Sequence, residues 1–311
     1  MAPPDLMVYP DQLARIMTTN GLRIREDVLF TDGKGQENER SRRKAEKILE
    51  QWKDILPAIL EKDETVFFVV KYCQAPVGAF EQMTMGWQGR GALGVSLVLT
   101  NLRLLHLGLE GSQKWRRVLK SLRWGDVAEA KVKGWLVRVL DLKYLNGKKD
   151  RYTRVPVSGA RKIKDILATV IPASRAEMSS AQGIQSLCPN CRTALTPGIY
   201  QCAQCGQKFK TEKILLKRTL LFPGGGYLYS GMTTAGIFSL VVGGILLLSD
   251  IWYLAMALHF LPPERANGAV MTAEESWTAV AVVLGLMAFH KWIEYRHAVR
   301  MIHAFLPEQN T

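Results

Sequence analysis

The chain lacks any stretch resembling a secretory leader. Its opening residues, MAPPDLMVYPDQLARIM, hold no basic region followed by an apolar core. That argues against export and predicts a cytoplasmic location for everything ahead of the apolar C-terminal third. There is no GxxxxGK[ST] loop and no GxSxG elbow, so nothing in the sequence points to a phosphate cradle or a hydrolase nucleophile. Acidic residues are scarce, 28 against 41 Lys and Arg, which leaves a net charge of +13 and a pI near 9.6. Such an excess calls for an acidic partner: nucleic acid, anionic lipid or an acidic protein face. Cysteine is scarce too. Of five, four form two CxxC pairs and Cys73 stands alone in the strand-like run TVFFVVKYC. In a reducing compartment such pairs hold metal rather than form disulfides. Cys73 reads as a small buried hydrophobe.

What is present divides into zones. With 311 residues, two or three domains are expected. Residues 1–61 read as a helical N-terminal segment: a short amphipathic stretch at DQLARIM, then a helix with Ile48, Leu49, Trp52, Ile55 and Leu56 on one face, bent or ended at Pro57. From Glu64 the period shortens. ETVFFVVKYC reads as a strand, and GVSLVLTNLRLLHLGLEG as two strands or one bent one. Asn146-Gly147 lies between two β-rich runs and predicts a tight hairpin. SGARKIKDILATVI returns to helical spacing, with Ser158 as its cap and Ile163, Ile166, Leu167 and Val170 on one apolar face. Residues 173–187, rich in Ala, Ser and Gly, read as a linker.

The run Leu99-Thr100-Asn101-Leu102-Arg103-Leu104-Leu105, followed by a basic segment, Trp124 to Val127, a hairpin and a final helix, resembles the bacterial pleckstrin-homology-like family over residues 62–172. Leu102 stands where that family usually carries a second polar residue. The resemblance implies a small, strongly bent β-barrel with a C-terminal helix plugging one end. For function it implies little.

Cys188 and Cys191 make one CxxC turn, Cys202 and Cys205 the other, with ten residues between the pairs. Two such turns facing each other offer four sulfurs to one point, a tetrahedral set suited to Zn²⁺ with no coordination position left for water. The stretch CPNC…GIYQCAQCG…F, residues 188–210, resembles the zinc-ribbon family, with Gly206 turning the chain after the second pair and Tyr200 and Phe209 as its small core. A structural zinc is expected; a rubredoxin-like iron or a redox dithiol fits the same pattern.

Residues 211–311 read as a membrane domain. Tyr227–Ser249 is 23 residues without a charge, enough to cross a hydrocarbon core of about 30 Å. Asp250 follows at the exit; a later helix start would place it inside the bilayer and make it a functional candidate. Trp277–Trp292 predicts a second span. The loop between them carries three glutamates and one arginine, whereas Lys and Arg crowd the flanks. Both termini are therefore expected in the cytoplasm. Ahead of the first span, Pro223, Gly224, Gly226, Tyr229 and Gly231 follow a Pro-Gly-x-Gly-x-x-Tyr-x-Gly pattern and resemble the lead-in of a family of small bacterial two-helix membrane domains. That resemblance implies a bent, re-entrant chain with the tyrosine at the headgroups. Glu294-x-x-His297 lacks the further carboxylates that a metal site of that spacing needs, and His290, His297 and His303 are expected on a basic cytoplasmic helix.

From Lys114 to Lys164 there are sixteen Lys or Arg and four Asp or Glu. The segment KWRRVLKSLRW places Lys114, Trp115, Arg116, Arg117, Lys120 and Arg123 together. These six are the expected surface for anionic lipid headgroups or an acidic protein, with nucleic acid a distant third. The expectation is thus a multi-domain α+β membrane protein of the bacterial inner membrane: helical segment, pleckstrin-homology-like barrel, zinc ribbon and two-helix hairpin. A non-enzymatic adaptor is the leading expectation, and a membrane subunit of a transport or envelope-maintenance complex the alternative.

Overall fold

The computed structural model describes residues 15–19, 21–32, 35–37, 39–78, 81, 83–84, 93–135, 137–174, 179, 181–260 and 272–308. The chain divides into two compact units, one of residues 1–82 and 89–207, the other of 83–88 and 208–311.

The first unit is a mixed α+β structure built on a ten-stranded sheet: β1 (Ile16–Thr19), β2 (Leu22–Arg25), β3 (Thr65–Gln74), β4 (Gly94–Thr100), β5 (Arg103–Leu109), β6 (Trp115–Arg123), β7 (Val127–Lys133), β8 (Arg138–Tyr144), β9 (Lys149–Val155) and β10 (Gln185–Leu187). The main path runs β10-β6-β5-β4-β3-β9-β8-β7, antiparallel throughout, with the β1–β2 hairpin joined to β3 through a parallel β2–β3 pairing. Among the described residues β7 pairs only with β8, and the sheet does not close. Its two principal helices are α1 (Glu39–Trp52) and α2 (Val157–Ala173).

β4 and β5 are buried along their whole lengths because both faces of the sheet are covered. One face packs Phe67, Leu97, Leu99, Leu122, Trp124, Leu140 and Tyr152 against Ile163, Ile166, Leu167 and Val170 of α2. The other packs Val69, Val98, Leu105, Leu107 and Leu119 against Leu49 and Trp52 of α1. Burial on both faces is why these strands read as nearly continuous apolar runs instead of alternating ones. Cys73 is buried in the first of these cores, and burial raises its thiol pKa.

Five local expectations are corrected. The N-terminal segment is not wholly helical. Of the expected amphipathic stretch at DQLARIM, the first four residues lie outside the described ones, Ile16 and Met17 belong to strand β1, and Gly21 (φ +75°) turns the chain into β2. Asn20-Gly21 carries the same hairpin signal as Asn146-Gly147. α1 ends at Trp52, and Pro57 sits in the first turn of a separate helical turn, Leu56–Ile59, where its missing N–H costs nothing. α2 begins at Val157 with Pro156 at its cap, so Ser158 lies inside the first turn. At the β8–β9 hairpin only Gly147 has positive φ (+80°). Its amide donates to the Tyr144 carbonyl at 3.0 Å and the Asn146 side chain accepts from Lys148 N at 3.0 Å. The turn is therefore longer than a two-residue one. The expected linker 173–187 ends in strand β10.

The second unit contains α3 (Glu212–Leu221), α4 (Gly225–Tyr229), α5 (Thr233–Ala257) and α6 (Ala273–His303). α5 and α6 are long and apolar enough to cross a membrane, and only 11% and 17% of their most apolar stretches are buried. α5 starts six residues later than the sequence suggests, because Gly224 and Gly231 (both φ +78°) turn the chain around the short α4 first. α6 is longer than its charge-free core. A Thr272–Glu275 capping box starts it, and burial of polar groups near its other end carries it on to His303.

Candidate functional site

Two CxxC turns of the first unit bring their sulfurs together. Cys188 Sγ lies 3.6 Å from Cys205 Sγ and Cys191 Sγ 3.4 Å from Cys202 Sγ, and all four lie within 4.8 Å of one another. The two turns are built alike. Arg192 N donates to the Cys188 carbonyl at 2.8 Å, and Gly206 N to the Cys202 carbonyl at 3.0 Å. Each donor has positive φ, +64° at Arg192 and +72° at Gly206. Tetrahedral zinc thiolates place sulfurs roughly 3.8 Å apart, from Zn–S distances of about 2.3 Å. The donor set and its spacing therefore fit a single thiolate-bound ion. Burial raises the Cys188 thiol pKa to about 12. At Cys191 burial also acts upward, but hydrogen bonding with Thr193 and Cys202 outweighs it and holds that thiol at about 6. A bound cation would favour the thiolate at all four.

This cluster is anchored to β6. β10, which leads into Cys188, pairs antiparallel with β6 through Leu187 and Leu119, Ser186 and Lys120, and Gln185 and Ser121. Arg117 donates to the Asn190 side chain, and Arg192 to the Leu60 carbonyl at 3.1 Å. The basic segment is consequently an interior strand, covered along one edge by the cysteine-bearing chain.

Its six candidate residues are dispersed by that setting. Lys114 and Arg117 are exposed, Trp115 and Lys120 half-buried. Arg116 is buried, and burial pulls its guanidinium below the usual range against the opposing field of Glu110. Arg123 pairs with Glu61 at 2.8 Å. Residues of the Leu99–Leu105 run knit the β4–β5 turn. Thr65 N donates to Asn101 Oδ1 at 2.8 Å, and Trp124 Nε1 to the Thr100 carbonyl at 2.8 Å. Arg103 grips the buried Glu64 through two bonds, at 2.9 and 2.7 Å. These residues hold the fold rather than face a ligand.

In the second unit the glycine-rich lead-in folds over a carboxylate. Glu294 of α6, wholly buried, accepts from Gly226 N at 2.6 Å and Gly224 N at 3.2 Å. Ser239 of α5 reaches it at 3.4 Å and bonds His290 at 2.7 Å. His297 bonds Tyr227 Oη at 2.8 Å through one ring nitrogen and Thr84 Oγ1 at 2.8 Å through the other. Lys291 donates to the carbonyls of Thr219 and Phe222. Small residues permit the approach. A Cβ on Gly226 would meet Thr219 Oγ1 at 2.3 Å, and one on Gly243 would meet Pro223 at 2.5 Å. Tyr229 is buried, its hydroxyl accepting from Thr211 N at 3.1 Å, so it does not project toward headgroups.

His290 and His297 were expected on a basic cytoplasmic helix, and Glu294 was given no role beyond a Glu-x-x-His spacing short of a metal site. Two signals pointed elsewhere: the Glu-x-x-His spacing puts both side chains on one helix face, and Gly236, Ser239 and Gly243 form a matching stripe of small residues on α5. Asp250 lies within α5, seven residues before its last. Among the described residues its Oδ1 is buried and has no hydrogen-bond partner. Compared with family models, curated proteins and solved structures, the chain matches none.

Proposed function

We propose that this protein is a non-enzymatic adaptor of the bacterial inner membrane. α5 and α6 form a transmembrane hairpin with both termini in the cytoplasm. The sheet unit, a variant of the pleckstrin-homology-like barrel that stays open at β7, faces the cytoplasm and recognises anionic lipid headgroups or an acidic protein. Zinc held by Cys188, Cys191, Cys202 and Cys205 has a structural role: it closes the segment that pairs with β6.

One observation carries this reading. The apolar faces of α5 and α6 are left open, with Ile237, Phe238, Val241, Ile245, Leu248, Val282, Leu286 and Phe289 all exposed, whereas the sheet unit buries its apolar residues in two cores. Water tolerates a contiguous apolar surface of that extent poorly, and lipid favours it. The test is purification of the intact protein from membranes in mild detergent, with identification of the lipids and proteins that come with it. Enrichment of anionic lipid or one acidic partner supports the adaptor. Recovery of the chain in the soluble fraction without detergent rejects it.

Asp250 favours a second reading, a membrane subunit of a transport or envelope-maintenance complex. A carboxyl oxygen without a partner inside an apolar helix suits a polar path across the bilayer. An Asp250→Asn defect with an unchanged sheet unit selects this reading over the first.

A further inference from the structure

The sheet unit exposes six large apolar side chains among the described residues: Ile16, Trp135, Val137, Leu145, Val157 and Ile199. Three of them gather at one end of the sheet. Trp135 and Val137 lie in the β7–β8 turn, and Val157 begins α2 one residue beyond the end of β9. The register brings these together, since Arg138 at the start of β8 pairs with Val155 at the end of β9. Trp135 is 81% exposed, Val157 61% and Val137 53%. Gly134 fits the turn that carries Trp135 and Val137: it has φ +90°, and a Cβ there would lie 2.1 Å from the Val137 carbonyl oxygen.

The two segments that build this apolar tip carry charge of one sign. Residues 133–138 and 154–161 contain Lys133, Arg138, Arg154 and Arg161 and no acidic residue. Lys133 is paired with Asp141 farther along β8. Arg138 donates to the Gly134 carbonyl, and Arg154 and Arg161 are exposed. A solvent-facing indole costs free energy in water. At a bilayer interface its apolar body enters the acyl boundary while its N–H stays among headgroups, and neighbouring cations meet anionic lipid.

We infer that the tip formed by Trp135, Val137 and Val157, ringed by Arg138, Arg154 and Arg161, seats the sheet unit on the surface of an anionic bilayer. This rests on the adaptor reading above and names the surface that serves it, away from β6. Trp135 is the inserted anchor, and the arginines select the lipid charge.

The experiment uses the full chain in nanodiscs of phosphatidylglycerol mixed with phosphatidylethanolamine, or of phosphatidylcholine alone, with and without brominated acyl chains. Emission from residue 135 is isolated by subtracting a Trp135→Phe variant. In the anionic discs it should be quenched about twofold by bromolipid and shielded from iodide, with weaker effects in phosphatidylcholine. Arg138→Glu with Arg161→Glu should restore iodide access, with the zinc content unchanged. Iodide-accessible, unquenched emission in both discs overturns the inference. So does emission shielded from iodide but untouched by bromolipid, which identifies a protein-facing surface. Lipids co-purified with the same preparations separate the two levels. Anionic lipid enriched while residue 135 stays in water rejects this surface and leaves the adaptor reading intact; enrichment of neither anionic lipid nor an acidic partner rejects both.

Discussion

The carboxylate of Glu294 on α6 receives the amide of Gly226 at 2.6 Å, so the glycine-rich lead-in meets the second long helix, 68 residues away in sequence, at one buried side chain. The glycines are there for approach: backbone N–H groups reach a buried carboxylate only where no Cβ intervenes. Glu294 thus serves as an internal anion for a loop that would otherwise leave its amides unpaired in an apolar setting.

Glu294→Gln removes the charge that two amides share and leaves one carbonyl to accept. Hydrogen bonds to charged groups contribute about 1.5–3 kcal/mol, so the second unit should lose about 2–3 kcal/mol. Gly226→Ala should do comparable damage, because its Cβ would press on Thr219 and Glu294. Gly244→Ala is the control: nothing lies within 4 Å of a Cβ there, and helix propensity alone should leave it neutral or slightly stabilising. Thermal unfolding in detergent ranks the three. Equal effects at Gly226 and Gly244 would contradict the packing argument.

Zinc should be present at one equivalent per chain by metal analysis. Cys202→Ser, or chelation, should release the β10–β6 pairing as well as the ion, since β10 leads straight into Cys188. Hydrogen exchange at Leu119–Ser121 should then accelerate about tenfold or more, equivalent to ~1.4 kcal/mol. Exchange that stays unchanged after metal loss would mean the strand stands without the ion.

His106 is buried beside Tyr152, its Nδ1 3.1 Å from the phenol oxygen, and burial followed by the field of Lys120 pushes its pKa well below 6.5. In the folded state the ring stays neutral, whereas the unfolded chain takes up a proton as pH falls through 6.5. The unfolded state binds more protons in that window, so stability is fully present above 6.5 and falls as acid is added below it, by at most about 1.4 kcal/mol per pH unit. His106→Gln should flatten this slope. Urea midpoints read from hydrogen exchange in the sheet unit between pH 7.5 and 5 provide the measure. A wild-type profile indifferent to pH below 6.5 would refute the assignment.

Arg103 and Glu64 form a buried pair with side chains 5% and 0% exposed. Arg103→Ala leaves the buried Glu64 side chain without its ion-pair partner, at a cost of about 3–5 kcal/mol. Arg103→Lys should recover only part, since one ammonium cannot reproduce the two parallel bonds. Chemical denaturation of the full chain distinguishes the series, with unit-specific hydrogen exchange assigning the loss to the sheet.

Much of this architecture is readable before folding. Residues Ile163, Ile166, Leu167 and Val170 share a helix face because the 3.6-residue period places them there, and all four are buried. The cysteines converge because each CxxC turn is a local device that aims two sulfurs at one point, and Gly206 turns the chain as expected. The start of α5 was harder to read. Apolar character begins at Tyr227, but the two left-handed glycines reserve the first residues for α4, and hydropathy is blind to φ.

Local spacing marks out which segments suit strand, helix, metal turn or membrane-length helix, because each of those depends on a few neighbouring residues. Tertiary structure alone decided what the charges do. Arg116 is buried, Arg123 is taken by Glu61, and Glu294 is claimed by two amides from a distant loop. The same residues, read by composition, form one basic surface and one basic cytoplasmic helix. Whether a charge meets solvent or a partner depends on which elements pack over it, and that is set by contacts between residues remote in the chain.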